Sequence, residues 1–369
     1  MKTTSAWHIS PLADTLAYHA SWLLVLVPLT WNAQPGYLHP VGMVVMFLSV
    51  TVTFVHRHFS LPYAYLDAGA FRAHRTRLLC AAGALTAACA ITPGFLASTP
   101  LFPAIVFFSA LWNIWHVVMQ KFGILRLYAA KTGGASARLD RFFLWSWVPL
   151  FFFYLAPKYE ALVLENGRSI AVLTAPVIGF LRFSQPVTLP VSVAVAAAAT
   201  ALFLRAERAE GRWRSPARLT LAAGMFGLYA SFLFLDPVHV YLAFGFNHAV
   251  EYMVFVGAFL GAKYRVPRAG ILARAMRYPR VSFAAFFFTV GAAYLAAYTW
   301  GSLVFPGAPL PVFFGRTIGE WLFYWTVYQS LMHFYLDGFL WKLRIPEVAG
   351  PLLGKPVADP IPLDTAPAA

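Results

Sequence analysis

The chain has 369 residues, of which 60% are hydrophobic and only 11% charged, where soluble domains carry about a quarter charged. That balance excludes a soluble globular enzyme and places the chain among polytopic membrane proteins. The formal net charge of +14 does not mark a nucleic-acid binder, because Lys and Arg fall in short segments between apolar runs, as the positive-inside bias and anionic lipid both favour.

In chain order, the first apolar run covers 16–31. It follows a stretch containing Asp14 and has no A-x-A-like site after it, so it reads as a span and not as a cleavable signal. Span 2 covers 41–56 and ends in FVHRHF, and a basic loop with Arg57, Arg72, Arg75 and Arg77 follows. Span 3 covers 78–96 and is broken near its end by Thr92-Pro93-Gly94. Its two cysteines, Cys80 and Cys89, stand about 13 Å apart along a helix, too far to pair. Span 4 covers 104–125 and carries WNIWHVVMQKFG, followed by a basic segment with Lys121, Arg126, Lys131, Arg138 and Arg141. Span 5 covers 142–156.

The run 170–181 holds Pro176 and Gly179 and is too short for a normal span. Reading it as re-entrant or interfacial puts the basic loop 205–218, after span 6 at 188–204, on the same side as the other basic loops. Span 7 covers 219–235, span 8 238–261, span 9 281–300 and span 10 316–341, with a basic loop at 263–280 between spans 8 and 9. The reading is an all-α transmembrane bundle of about ten spans with both termini cytoplasmic. It is one domain over 1–344 with a Pro- and Ala-rich disordered tail at 345–369. No internal repeat is visible. The location is a membrane, the inner membrane if the source is prokaryotic.

The polar residues inside these runs carry the functional signal, since ionisable groups at membrane depth are costly. On span 10, Gln329, His333 and Asp337 succeed one another at four-residue spacing on one helical face. His116 has Asn113 and Gln120 on its face, and His248 pairs with Glu251 at i, i+3 beside Asn247. His56 and His58 close span 2 and His74 precedes span 3, all at the cytoplasmic side. Separate spans thus send histidines into one half of the membrane. Neutral imidazole is the commonest ligand of zinc, iron and copper, and carboxylates join it in iron sites. The expected metal ligands are His56, His58, His74, His116, His248 and His333, with Glu251 and Asp337 as ligands or proton-transfer groups. Asn113, Gln120, Asn247 and Gln329 are expected to orient them. The bland reading of each is an interhelical hydrogen bond or a solvated cap. Glu320 and Arg316 begin span 10 some 20 Å from His333, as a separate outer site or an ion pair.

With histidines gathered near the cytoplasmic face, HRH at 56–58 among them, the chain resembles in layout the integral-membrane di-iron lipid desaturases and hydroxylases. It is similar also to the carotene-cleaving Brp/Blh family. The resemblance implies a helical membrane fold and an O2-dependent reaction, and it assigns no individual ligand. The expected function is a membrane metalloenzyme with iron, one or two ions, or else zinc. It would act as an oxidoreductase on a lipid or isoprenoid held in an apolar tunnel, with a separate electron-donor protein. The alternatives are a metal-dependent lipid hydrolase or transferase, a proton-coupled transporter using the same groups, and a structural protein.

Overall fold

The computed structural model describes residues 6–354, apart from 32, 35–36, 39, 93, 96–98, 167–170, 212–215, 266–269, 303–311 and 314–315. The described residues are predominantly helical and include two antiparallel ladders of two residue pairs each, at 33–38 and 312–317. Among the described residues six helices are long and apolar enough to cross a membrane, or seven if a bent pair at the N-terminus counts as one span. The count of ten is therefore not reached on length and composition.

The bent pair comprises α1 (Pro11–Asp14) with the π-helical turn Thr15–His19, followed by α2 (Leu23–Trp31), and the two halves meet at 55°. Gly224 allows this hook to seat, because a Cβ there would fall on the backbone of His19. Helix α3 (Pro40–His56) continues into α4 (Ser60–Leu66) as one membrane-length run. Short α5 (Ala68–Ala73) leads to α6 (Arg75–Ile91). Helix α7 (Leu101–Lys131) is 31 residues long and carries Lys121 and Arg126 inside it, so the basic segment expected after span 4 is partly helical.

Helices α8 (Ala137–Asn166) and α9 (Ala171–Ala209) lie against one another. The run 170–181, expected as a separate re-entrant element, is instead the start of α9. That helix has 39 residues and so extends about 58 Å, well beyond a hydrocarbon core of about 30 Å. Its three prolines leave it continuous, and it is one candidate span where two elements were expected.

The remaining helices are α10 (Ala217–Phe234), α11 (Pro237–Lys263), α12 (Ile271–Ala275), α13 (Pro279–Ser302), α14 (Ile318–Leu340) and α15 (Pro346–Leu352). Helix α15 buries Val348 and Leu352 in the core, so 346–352 departs from the expected disordered tail, while 355–369 lies outside the described residues. Glu320 forms a capping box with Thr317 at the start of α14, and the side chain of Arg316, its expected ion-pair partner, lies outside what the structure describes.

Helix α11 is the centre of the bundle. It touches α2, α3, α10 and α13, and its residues Tyr252, Val256, Phe259 and Leu260 join the core formed with α4 and α14. Exposed apolar side chains cover the outside, as on Phe180, Phe183, Phe234 and Phe288, which suits a lipid-facing surface.

Candidate functional site

Four imidazoles from four helices form a closed ring inside the bundle. His56 is the last residue of α3, His116 lies on α7, His248 on α11 and His333 on α14. Around the ring the centroids stand 5.1 Å (His56 to His248), 5.0 Å (His248 to His116), 4.7 Å (His116 to His333) and 5.0 Å (His333 to His56) apart. All four are buried, His333 completely.

Their nitrogens are mostly orphaned. Both ring nitrogens of His248 and of His333, and Nε2 of His116, are buried with no hydrogen-bond partner. A buried polar atom without a partner costs about 1–3 kcal/mol, so five in one cluster mark the ring as a place where a ligand would be stabilising. His56 is the exception, because its Nδ1 lies 2.5 Å from the carbonyl of Thr53. That bond requires the proton on Nδ1 and leaves the Nε2 lone pair available.

Asp337 completes the site. Its Oδ1 accepts from the Tyr252 hydroxyl at 2.6 Å and from Trp341 Nε1 at 3.0 Å. Its Oδ2 stands 3.8 Å from His116 Nδ1 and 3.7 Å from His333 Nε2. One oxygen is held by donors and the other faces the ring. Two overlapping sets offer ligand atoms within 4.8 Å of one another: His56, His248 and His333, and His116, His333 and Asp337. The first set offers three imidazole nitrogens and the second two nitrogens and a carboxylate oxygen, donor types found in transition-metal sites, and the two share His333.

Other expected residues lie elsewhere. His58 is buried against Tyr294 and Trp325, with its Nδ1 3.3 Å from the Phe54 carbonyl. His74 joins α5 to α6 with its ring against Phe339, and burial followed by the Arg77 charge hold it below the usual histidine value. Neither belongs to the two ligand sets. Glu251 also stands outside them. It is ion-paired to Lys121 and accepts from Gln120 Nε2 at 3.1 Å.

Three of the four expected supporting residues, Gln120, Asn247 and Gln329, hydrogen-bond to the frame of the site. Gln120 also donates to the backbone carbonyl of His248 at 3.0 Å. Asn247 accepts from Lys121 Nζ at 2.7 Å and donates to Ser21 at 2.8 Å. Gln329 donates to the Arg57 carbonyl at 3.3 Å, satisfying a carbonyl just past the end of α3 and so bracing the helix end that carries His56. Asn113 lines a cavity of about 240 Å3 that reaches His56 and His248. A larger cavity, about 550 Å3, opens on His116 and Asp337 from the other side.

Tyr252, Trp341 as a donor, and Lys121 were not anticipated as site residues. Tyr252 lies four residues after His248, so the spacing that paired His333 with Asp337 could have found it.

The fold and site together define a helical bundle with membrane-length apolar helices and a buried ring of four histidines closed by one aspartate. The chain matches none of the protein-family models, curated proteins or solved structures with which it was compared.

Proposed function

We propose that this protein is an integral-membrane metal-dependent enzyme, an O2-dependent oxidoreductase acting on a lipid or isoprenoid. The observation that carries the reading is the set of orphaned imidazole nitrogens facing one another in the ring. His56, His116, His248 and His333 would hold the metal through nitrogen, and Asp337 through Oδ2. Iron, as one or two ions, suits that mixed donor set best, and zinc is the second choice. The metal would supply O2 activation, with electrons from a separate donor protein. Tyr252 and Trp341 would fix the Asp337 carboxylate through Oδ1 and so aim Oδ2 at the metal. An apolar chain would enter through the cavity that reaches His116 and Asp337.

The reading extends to topology. The four basic segments would face the cytoplasm, with helices α6, α8 and α14 as further crossings, ten in all, and both termini inside.

A transporter is the second reading, favoured by the buried Lys121–Glu251 pair. Elemental analysis of the detergent-purified chain separates the two. Stoichiometric iron, lost in His333→Ala, supports the enzyme. Metal-free protein that couples uptake to a proton gradient overturns it.

A further inference from the structure

The larger cavity is polarised along its length. At its inner end stand His116 and Asp337, and at its outer end Arg126, Lys342 and Arg344. Between them the wall is apolar, with Trp115, Phe255 and Phe334. Gly123 on α7 and Gly338 on α14 also line it, and a Cβ at either would meet no atom within 4 Å. Two absent side chains therefore widen the passage, one inside α7, where glycine is otherwise unfavourable, and one in the last turn of α14.

The cations exceed the anions. Three basic side chains line the outer end, and Asp337, at the inner end, is the one carboxylate of the lining. Arg126 spends its Nη1 on the Ala135 carbonyl and Asp140. Among the described residues Lys342 and Arg344 have no ion pair. Burial and the neighbouring Arg344 charge hold the Lys342 ammonium below the usual lysine value. Clustered, partly desolvated cations at the mouth of an apolar cavity recognise an anion attached to an apolar chain. Ten residues of α7 separate His116 from Arg126, about 15 Å along the axis.

Resting on the metal-enzyme reading, we propose that this cavity takes one long apolar chain ending in a phosphate or carboxylate, its head held by Arg126, Lys342 and Arg344. The part of the chain beside His116 and Asp337 is then an internal segment and not the head.

The test uses the full chain in phosphatidylcholine nanodiscs and chains brominated near the middle, which quench Trp115 and Trp341. The probes are a brominated octadecanoate, the matching octadecyl phosphate and the uncharged alcohol. Gly338→Leu, which fills the cavity, reports the background from bilayer partition. Both anionic probes should quench saturably, and the alcohol should bind at least about tenfold more weakly, as expected where a charge-assisted hydrogen bond is missing. Lys342→Gln/Arg344→Gln should remove that difference, and salt should shrink it in the wild type. Competition by phosphatidylglycerol assigns the head to a membrane phospholipid, and its absence assigns it to a single-chain amphiphile. Equal binding of the alcohol, or an anion preference that survives the double substitution, overturns the inference. Metal content is measured on the same samples. Anion-selective quenching without metal leaves this inference standing and removes the metal reading, while bound metal without anion preference does the reverse.

Discussion

Lys121 of α7 and Glu251 of α11 form an ion pair buried on both sides, with Asn247 and Gln120 supplying the remaining hydrogen bonds. A pair of this kind holds two helices of the histidine ring in register, because His116 lies five residues before Lys121 and His248 three before Glu251. Removing one partner strands a buried charge, at a cost of about 3–5 kcal/mol, whereas replacing both with apolar residues is often neutral. Lys121→Met should therefore lower the melting temperature in detergent strongly, and Lys121→Met/Glu251→Leu should recover most of the loss. A double variant no more stable than the single one would show that Glu251 does more than neutralise Lys121.

Tyr252 tests how Asp337 is held. Tyr252→Phe removes one of two donors to Oδ1 and leaves the ring intact. Metal affinity or activity should fall about 10–100-fold, as for other outer partners of a ligand. His333→Ala should remove the metal altogether, since His333 belongs to both ligand sets. Were these residues only interhelical glue, each substitution would instead cost about 0.6 kcal/mol, at most about 1.7, and leave metal content unchanged. Metal content and melting temperature measured together on both variants decide between the two.

The histidine ring was largely legible in the sequence because depth in a membrane can be read from hydropathy. His116, His248 and His333 each sit well inside an apolar run, and that placement survives errors of several residues in the span boundaries. His58 and His74 were harder, because residues at a helix end can turn either inward or along the interface, and rotation about a helix axis is set by packing. Glu251 was placed on the right helix, but its partner Lys121 was assigned to a basic segment. A lysine in an apolar run signals a helix end unless its counterion is known, and that counterion lies on another helix. The same limit explains α9, where Pro176 suggested a break. The freed backbone groups of a membrane helix can be satisfied locally, so proline does not end it.

Asp67, outside the spans at the start of α5, gives a pH prediction. Burial raises its carboxyl, but Lys263 at 2.9 Å, the Tyr264 hydroxyl and the Ala70 amide outweigh that and hold it below the usual carboxylate value. A folded value below the unfolded one means that its stabilisation is complete above about pH 4 and is lost as pH falls toward the lowered value. Asp67→Asn keeps the helix cap and loses the charge. The melting-temperature gap between wild type and Asp67→Asn should be constant from pH 7 to 5 and close below pH 4. A gap independent of pH would assign the role of Asp67 to hydrogen bonding alone.

Topology can be tested from one buried guanidinium. Arg218, at the start of α10, binds Glu207 near the end of α9 through Nε and Nη2, both at 3.0 Å. It also binds Asp140 at the start of α8 at 2.6 Å and the Leu125 carbonyl of α7 at 2.9 Å. Arg126 closes the group on Asp140 at 2.9 Å. Four helix ends therefore meet at one end of the bundle, and the described parts of the basic segments 120–141 and 205–218 lie together there. Lys131 brings the N-terminal stretch to the same end through the Trp7 carbonyl at 2.8 Å. In the proposed topology the positive-inside rule turns this end toward the cytoplasm. In a Cys80→Ser/Cys89→Ser background, a cysteine at Gly211 should react with a membrane-impermeant maleimide in inverted vesicles and stay unlabelled in intact cells. Arg138→Cys should behave the same way, because the network ties both positions to one end. Labelling of Gly211→Cys from outside would reverse the orientation, and opposite accessibility of the two sites would require that the guanidinium network not form.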